Sequence, residues 1–194
     1  MPSRLDDLLA HITRLEGDVE EELTRTRATW RYQIEAGRVR FEQGVRQAHR
    51  RVKQSIPRFI RESSPRNLLT APIIYGMVVP IAIIDIGFSF YQLTCFPIYG
   101  IARVRRARYV VIDRQHLGYL NIIEKLNCVY CGYANGVLAY VREIAARTEQ
   151  YWCPIRHATR VLAPHDHYRR FVDYGDAEGY QKRLLVLRNE LKKK

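Results

Sequence analysis

Apolar side chains recur along residues 3–56 at Leu5, Leu8, Ile12, Leu15, Val19, Leu23, Trp30, Ile34, Phe41, Val45, Val52 and Ile56. The steps are three or four residues, or sums of these, which is the period of one helical stripe. Ser3 followed by Asp6 suits a capped start. The pattern predicts a long, coiled-coil-like N-terminal helix, about 80 Å if unbroken. Gly17, Gly37 and Gly44 weaken it, and a break is expected near Gly37.

The pattern changes at Asn67. From there to Ala102 the chain reads NLLTAPIIYGMVVPIAIIDIGFSFYQLTCFPIYGIA, with Asp85 its only charged residue. A bilayer core takes about 20 apolar helical residues. The core helix of a soluble protein seldom runs so far without charge. Two topologies fit. One is a single tilted span with the remainder at an interface. The other is a re-entrant hairpin turning near Asp85, Ile86 and Gly87. Both flanks are basic, PRFIRESSPR before and ARVRRAR after. Because Lys and Arg stay on the cytoplasmic side, this favours the hairpin. Pro72, Pro80 and Pro97 are expected to bend or break the helices. Asp85 has two readings: a polar group inside the membrane that handles protons, or a hairpin tip reaching water, a headgroup or a partner.

Beyond the membrane run, Leu117, Leu120, Ile123, Leu126 and Val129 recur at helical spacing. GYANG interrupts them, and VLAYVREIAARTEQYW resumes helical character, so the region reads as a helix pair joined near 132–136. The tail AEGYQKRLLVLRNELKKK reads as a basic C-terminal helix. The fold class is therefore mainly α. Residues 1–66 form the amphipathic arm, 67–102 the membrane segment, 103–174 a small helical Cys/His region and 175–194 the final helix.

Charge narrows the partners. Lys and Arg number 32 against 20 Asp and Glu, for a net charge of +12. Within residues 38–61, Phe41, Val45, Val52, Ile56 and Phe59 are interspersed with Arg38, Arg40, Arg46, Arg50, Arg51, Lys53, Arg58 and Arg61. That is the composition of an interfacial helix, with a solvated face on a bundle helix as the alternative. Its place beside the apolar run selects anionic headgroups over nucleic acid as first partner. Arg50, Arg51, Lys53, Arg58 and Arg61 on one flank, and Arg103, Arg105 and Arg106 on the other, are the expected membrane-interface residues. The N-terminal stripe needs cover, and a second copy or a protein partner through residues 3–56 would supply it. No apolar leader opens the chain, so the soluble parts are expected to face a reducing cytoplasm.

Cys128, Cys131, Cys153 and His157 spell C-x2-C and C-x3-H, separated by 21 residues. Thiolate and imidazole are ligands that zinc prefers, and four of them fill a tetrahedron. Iron or an iron–sulfur cluster is the alternative cofactor. Geometry strains this set. A straight helix over 136–150 is about 22 Å long, and its flanking links reach about 27 Å together when fully extended. Closure is taut unless the second helix is short or kinked, or two chains contribute. The competing readings are reduced, packed cysteines and a redox pair. His165 and His167 are further candidate ligands or pH-sensitive groups. No phosphate loop, nucleophile elbow or H-E-x-x-H is present.

The stretch LNCVYCGYANGVLAYVREIAARTEQYWCPIRHA resembles a family of uncharacterised bacterial proteins in which an apolar segment precedes this cysteine-rich region. The resemblance covers residues 68–158. It implies a bacterial inner-membrane location and assigns no activity. The leading expectation is a membrane-anchored scaffold or recruiting protein with a structural Cys3His zinc site. The alternatives are a redox or metalloenzyme component at the membrane surface, and a membrane-shaping protein without chemistry.

Overall fold

The computed structural model describes residues 4–28, 32–35, 38–41, 49 and 51–192, and it is mainly helical. The chain divides into two units, Met1–Gln54 with His116–Tyr119, and Ser55–Gln115 with Leu120–Lys194.

In the first unit, α1 spans Arg4–Ala28. Leu8, Leu15, Val19 and Leu23 on its stripe are all exposed. Glu21 and Arg25 pair one turn apart at 2.6 Å. The helix expected over residues 3–56 is not continuous. Two strands, β1 (Tyr32–Glu35) and β2 (Arg38–Phe41), follow it and pair antiparallel, with Tyr32 opposite Phe41 and Ile34 opposite Val39. Tyr32, Ile34, Val39 and Phe41 alternate with polar residues, which is the period of a strand and not of a helix. The expected break at Gly37, the cap at Ser3 and the interface residue Arg50 lie outside the described residues. His49 and Tyr119 meet edge to face at 5.0 Å, and the Gly118 backbone packs beneath the His49 ring.

The second unit begins with α2 (Ile56–Glu62) and α3 (Pro65–Gly76), each with proline in its first turn, where the missing N–H leaves no bond unmade. Then comes α4 (Val78–Tyr99). Met77, between α3 and α4, keeps a right-handed helical backbone (φ −63°, ψ −13°). Pro65–Tyr99 therefore runs as one apolar helix, the one helix among the described residues long and apolar enough to cross a membrane. The expected hairpin turn is absent: Asp85, Ile86 and Gly87 lie inside α4. After the apolar helix the chain reverses at Gly100, whose φ of 70° is left-handed and suits glycine at a helix end.

An extended connector follows, with short 3₁₀ turns at Arg106–Arg108 and Arg114–His116. It leads to α5 (Ile122–Trp152). Asn121 caps this helix by accepting from the N–H groups of Ile123 (2.9 Å) and Glu124 (3.0 Å), while the Glu124 carboxylate accepts from the Asn121 N–H at 2.8 Å. This reciprocal pair satisfies three backbone donors at the helix start. The expected joint at 132–136 is not formed, and α5 runs through GYANG unbroken. Tertiary packing explains why. A Cβ on Gly136 would stand 2.7 Å from the Val110 Cα and the Tyr109 carbonyl oxygen, and one on Gly132 would stand 3.1 Å from the Val111 oxygen. The two glycines, one turn apart, form a groove in which the connector backbone lies.

Helices α4 and α5 run parallel. Tyr75 meets Asn127, Asp85 meets Tyr133, Ser89 meets Tyr140, and Tyr99 stacks on Tyr151. Phe96, Ile101, Val104, Tyr140, Ile144 and Leu191 form the main core cluster, and Ile81, Ala134 and Val137 a second one. The C-terminal α6 (Ala177–Glu190) closes over the end of α5 through Leu187 and Leu191, which are buried.

Candidate functional site

Three groups of residues carry the chemistry of this chain: the polar face of the apolar helix, the cysteines, and a carboxylate–histidine cluster near the end of α5.

The polar face comes first. Asp85 is 7% exposed. Arg106 Nη2 lies 2.7 Å from Asp85 Oδ2, and its Nε lies 3.0 Å from Oδ1, so the guanidinium grips both carboxylate oxygens. The Tyr133 hydroxyl donates to Oδ2 at 3.1 Å. Two turns further on, the buried Gln92 accepts from the Val104 N–H at 2.9 Å and donates to the Val104 carbonyl and to the Tyr140 hydroxyl. Asp85 and Gln92 thus face the connector and α5. The intramembrane polar residue expected at Asp85 is tied into a fixed ion pair, not placed at a hairpin tip. Its partner lies 21 residues away, so no local pattern announces it.

The interface arginines and lysine are solvent-facing. Arg51, Lys53, Arg58, Arg61, Arg103 and Arg105 are exposed. Arg58 also pairs with Glu62 at 2.7 Å. Arg106 is exposed too, but its guanidinium is committed to Asp85.

The cysteines do not converge. Cys128 and Cys131 sit in the first half of α5, and Cys153 follows its last residue, Trp152. From residue 131 to residue 153 a continuous helix rises about 33 Å at 1.5 Å per residue. No tetrahedral ion reaches both ends within one chain. Among the described residues no group of three or more His, Cys, Asp or Glu is placed to hold a metal. The expected zinc set of Cys128, Cys131, Cys153 and His157 is therefore corrected: reading GYANG as a break allowed a closure that the unbroken helix forbids. His157 stacks its ring on Tyr168 at 6.2 Å, and its backbone N–H donates to the Tyr168 hydroxyl at 2.7 Å. The Cys153 thiol is pushed up by burial and by the nearby Glu149 carboxylate, which keeps it protonated at neutral pH and weak as a nucleophile.

The third group was foreshadowed only by His165 and His167. These two lie on and beside a 3₁₀ turn, Asp166–Arg170, that packs on α5. His167 Nε2 is 3.2 Å from Glu143 Oε1, and its Nδ1 faces the Gln150 side-chain amide oxygen, Oε1. Gln150 in turn donates to the Leu187 carbonyl at 2.7 Å, which fixes the orientation of its amide. Arg147 donates to Glu143 at 2.7 Å and to the Ala102 carbonyl at 2.6 Å. His165 Nδ1 accepts from the Tyr168 N–H, so its Nε2 carries the proton offered to Glu149 at 2.8 Å. Burial raises the Glu143 carboxyl, but the hydrogen bonds from His167 and Arg147 outweigh it and hold the group below its ordinary range. The cluster ties α5, the 3₁₀ turn, α6 and the start of the connector together. Its signal in the sequence was the E-x3-R-x2-Q spacing, which puts Glu143, Arg147 and Gln150 on one helical face.

Between α4 and α5 lies an apolar groove of about 690 Å³, lined by Ile84, Gly87, Phe88, Ala145, Trp152 and Cys153 among others. Comparison with known protein families, with characterised proteins and with solved structures gives no match to this chain.

Proposed function

We propose that this protein is a membrane-anchored scaffold. The apolar helix Pro65–Tyr99 seats it in a bilayer, and α1 recruits a partner, either a second copy or another protein. One observation carries the reading. The apolar helix leaves Leu69, Ile73, Ile86 and Ile98 at least 71% exposed, in a run from Asn67 to Tyr99 whose single charge, Asp85, is turned inward. Water opposes such a surface at roughly 25 cal/mol per Å² of apolar area, and acyl chains remove that penalty. The basic residues on both flanks suit anionic headgroups on the cytoplasmic side of a bacterial inner membrane. The exposed stripe on α1 suits a helical partner.

Vesicle flotation of the full chain, purified in detergent, tests the anchor. The protein is expected in the floated fraction, and more of it there with anionic than with zwitterionic lipid. A chain that is monomeric and soluble without surfactant, and stays at the bottom of the gradient, refutes it.

A further inference from the structure

We infer that α3 and α4 lie along one leaflet of the bilayer instead of crossing it, with their bare flank in the outer acyl layer. This rests on the membrane-anchor reading and specifies its geometry.

The first support is where the bare surface sits. At about 100° per residue, Ile81, Asp85, Gln92 and Phe96 fall on one arc of the helix, and all four are buried. Leu69, Val79, Ile83, Phe90 and Ile98 fall on the opposite arc, and all are at least 59% exposed. From Ile81 to the end of α4 the exposed surface is therefore a lengthwise stripe, while α3 and the residues up to Pro80 are exposed on nearly every side. A crossing helix, together with whatever packs on it, needs an uncharged belt about 30 Å tall. A helix lying in the interface needs a stripe.

The second support is the height of the neighbouring charges. Because α5 runs parallel to α4, each level along the apolar helix has known neighbours. The level of Tyr75 is that of Asn127, with Glu124 and Lys125 within one helical turn. The level of Asp85 is that of Arg106. The level of Tyr91 is that of Thr148, close to Arg147 and Glu143. Any window of about 20 residues within Pro65–Tyr99 takes in at least one of these charged levels. A crossing would immerse ionic side chains in hydrocarbon, whereas a helix lying in the interface leaves them on its wet side. Exposed Arg61, Arg66, Arg103 and Arg105 then lie near headgroup level at the two ends of the rod. The apolar groove between α4 and α5 adjoins the stripe at Gly87 and gives an acyl chain a seat.

The test uses the full chain with its native cysteines replaced by serine. Single cysteines at Leu69→Cys, Ile83→Cys and Ile98→Cys carry an environment-sensitive fluorophore. The protein is bound to vesicles of phosphatidylcholine and phosphatidylglycerol, brominated at a shallow or a deep acyl position. All three labels are expected at one depth, about 5–10 Å below the headgroups, quenched more by shallow than by deep bromine. Ile83 near the midplane, about 15 Å deep, with Leu69 and Ile98 close to opposite surfaces, overturns the inference and leaves the anchor standing. Labels that remain in water at all three positions overturn both. Ser64→Cys and Arg103→Cys, outside the apolar helix, give an independent reading. An impermeant thiol reagent added outside the vesicles is expected to label both, and protection of one of them overturns the inference.

Discussion

Arg106 reaches across 21 residues of chain to clasp Asp85, with Nη2 at 2.7 Å and Nε at 3.0 Å from the two carboxylate oxygens. The pair fixes the connector against the one charged position of an otherwise neutral helix. The Asp85 side chain is 10% exposed and that of Arg106 is 44% exposed, so the contact is half-screened. Arg106→Ala leaves the carboxylate without its counter-charge and is expected to destabilise the unit by about 1–2 kcal/mol. Asp85→Asn together with Arg106→Gln removes both charges, so the double change is expected to cost less than the sum of the single ones. Thermal unfolding in detergent, run as a double-mutant cycle, checks this.

The two glycines of α5 separate packing from helix propensity. Gly136→Ala sets a methyl 2.7 Å from the Val110 Cα and the Tyr109 carbonyl, both backbone atoms that cannot swing aside. It is expected to destabilise by about 1–3 kcal/mol despite the better helix former. Gly132→Ala meets a single oxygen at 3.1 Å and gains up to about 1 kcal/mol of propensity, so its net effect is expected near zero. Denaturant unfolding of the two variants side by side distinguishes them.

Acid is expected to loosen the end of α5. The Glu143 carboxyl sits below its ordinary value of 4.5 because His167 and Arg147 donate to it, which more than offsets its burial. A group held low in the folded state contributes its stability in full above the unfolded value, about 4.5, and loses it as pH falls through the folded value. His167 and Arg147 face this carboxylate directly, and Gln150 holds the other side of the His167 ring. Between pH 6 and 3 the native chain is therefore expected to lose more stability than Glu143→Gln, which has no proton to take up. Melting temperature against pH, measured for both, reads the difference.

A distance measurement settles the cysteine geometry. With Cys95 and Cys128 replaced by serine, spin labels on Cys131 and Cys153 are expected at about 33 Å, the rise of the intervening helix. A separation below about 15 Å would restore the bent helix and the shared metal site. Cys153, with its thiol held protonated, is also expected to alkylate more slowly at neutral pH than a free model thiol.

The sequence was legible wherever pattern and partner lie close together. The run from Asn67 to Ala102 announced its helix because almost every residue in it is apolar. It did not announce the absence of a turn at Asp85, because the arginine that neutralises the carboxylate belongs to a later segment. GYANG looked like a helix stop because each interior glycine costs about 1 kcal/mol of propensity. The compensating contact, with the backbone of Tyr109 and Val110, is tertiary and leaves no local trace. Misreading that stretch is what made the C-x2-C and C-x3-H elements look able to meet. The pairing of β1 with β2 was readable in principle: Tyr32 and Ile34, then Val39 and Phe41, alternate in steps of two around Ala36 and Gly37. The three-and-four spacing of the larger stripe masked it.

The parallel course of α4 and α5 sets a timetable for synthesis. Asp85 must wait for Tyr133, 48 residues later, and Tyr91 must wait for Thr148, 57 residues later. At 5–20 residues per second the ribosome takes about 2–11 seconds to add that length. For that interval the nascent apolar helix lacks the cover of α5, so a chaperone or the lipid itself must shelter that face before its own chain can.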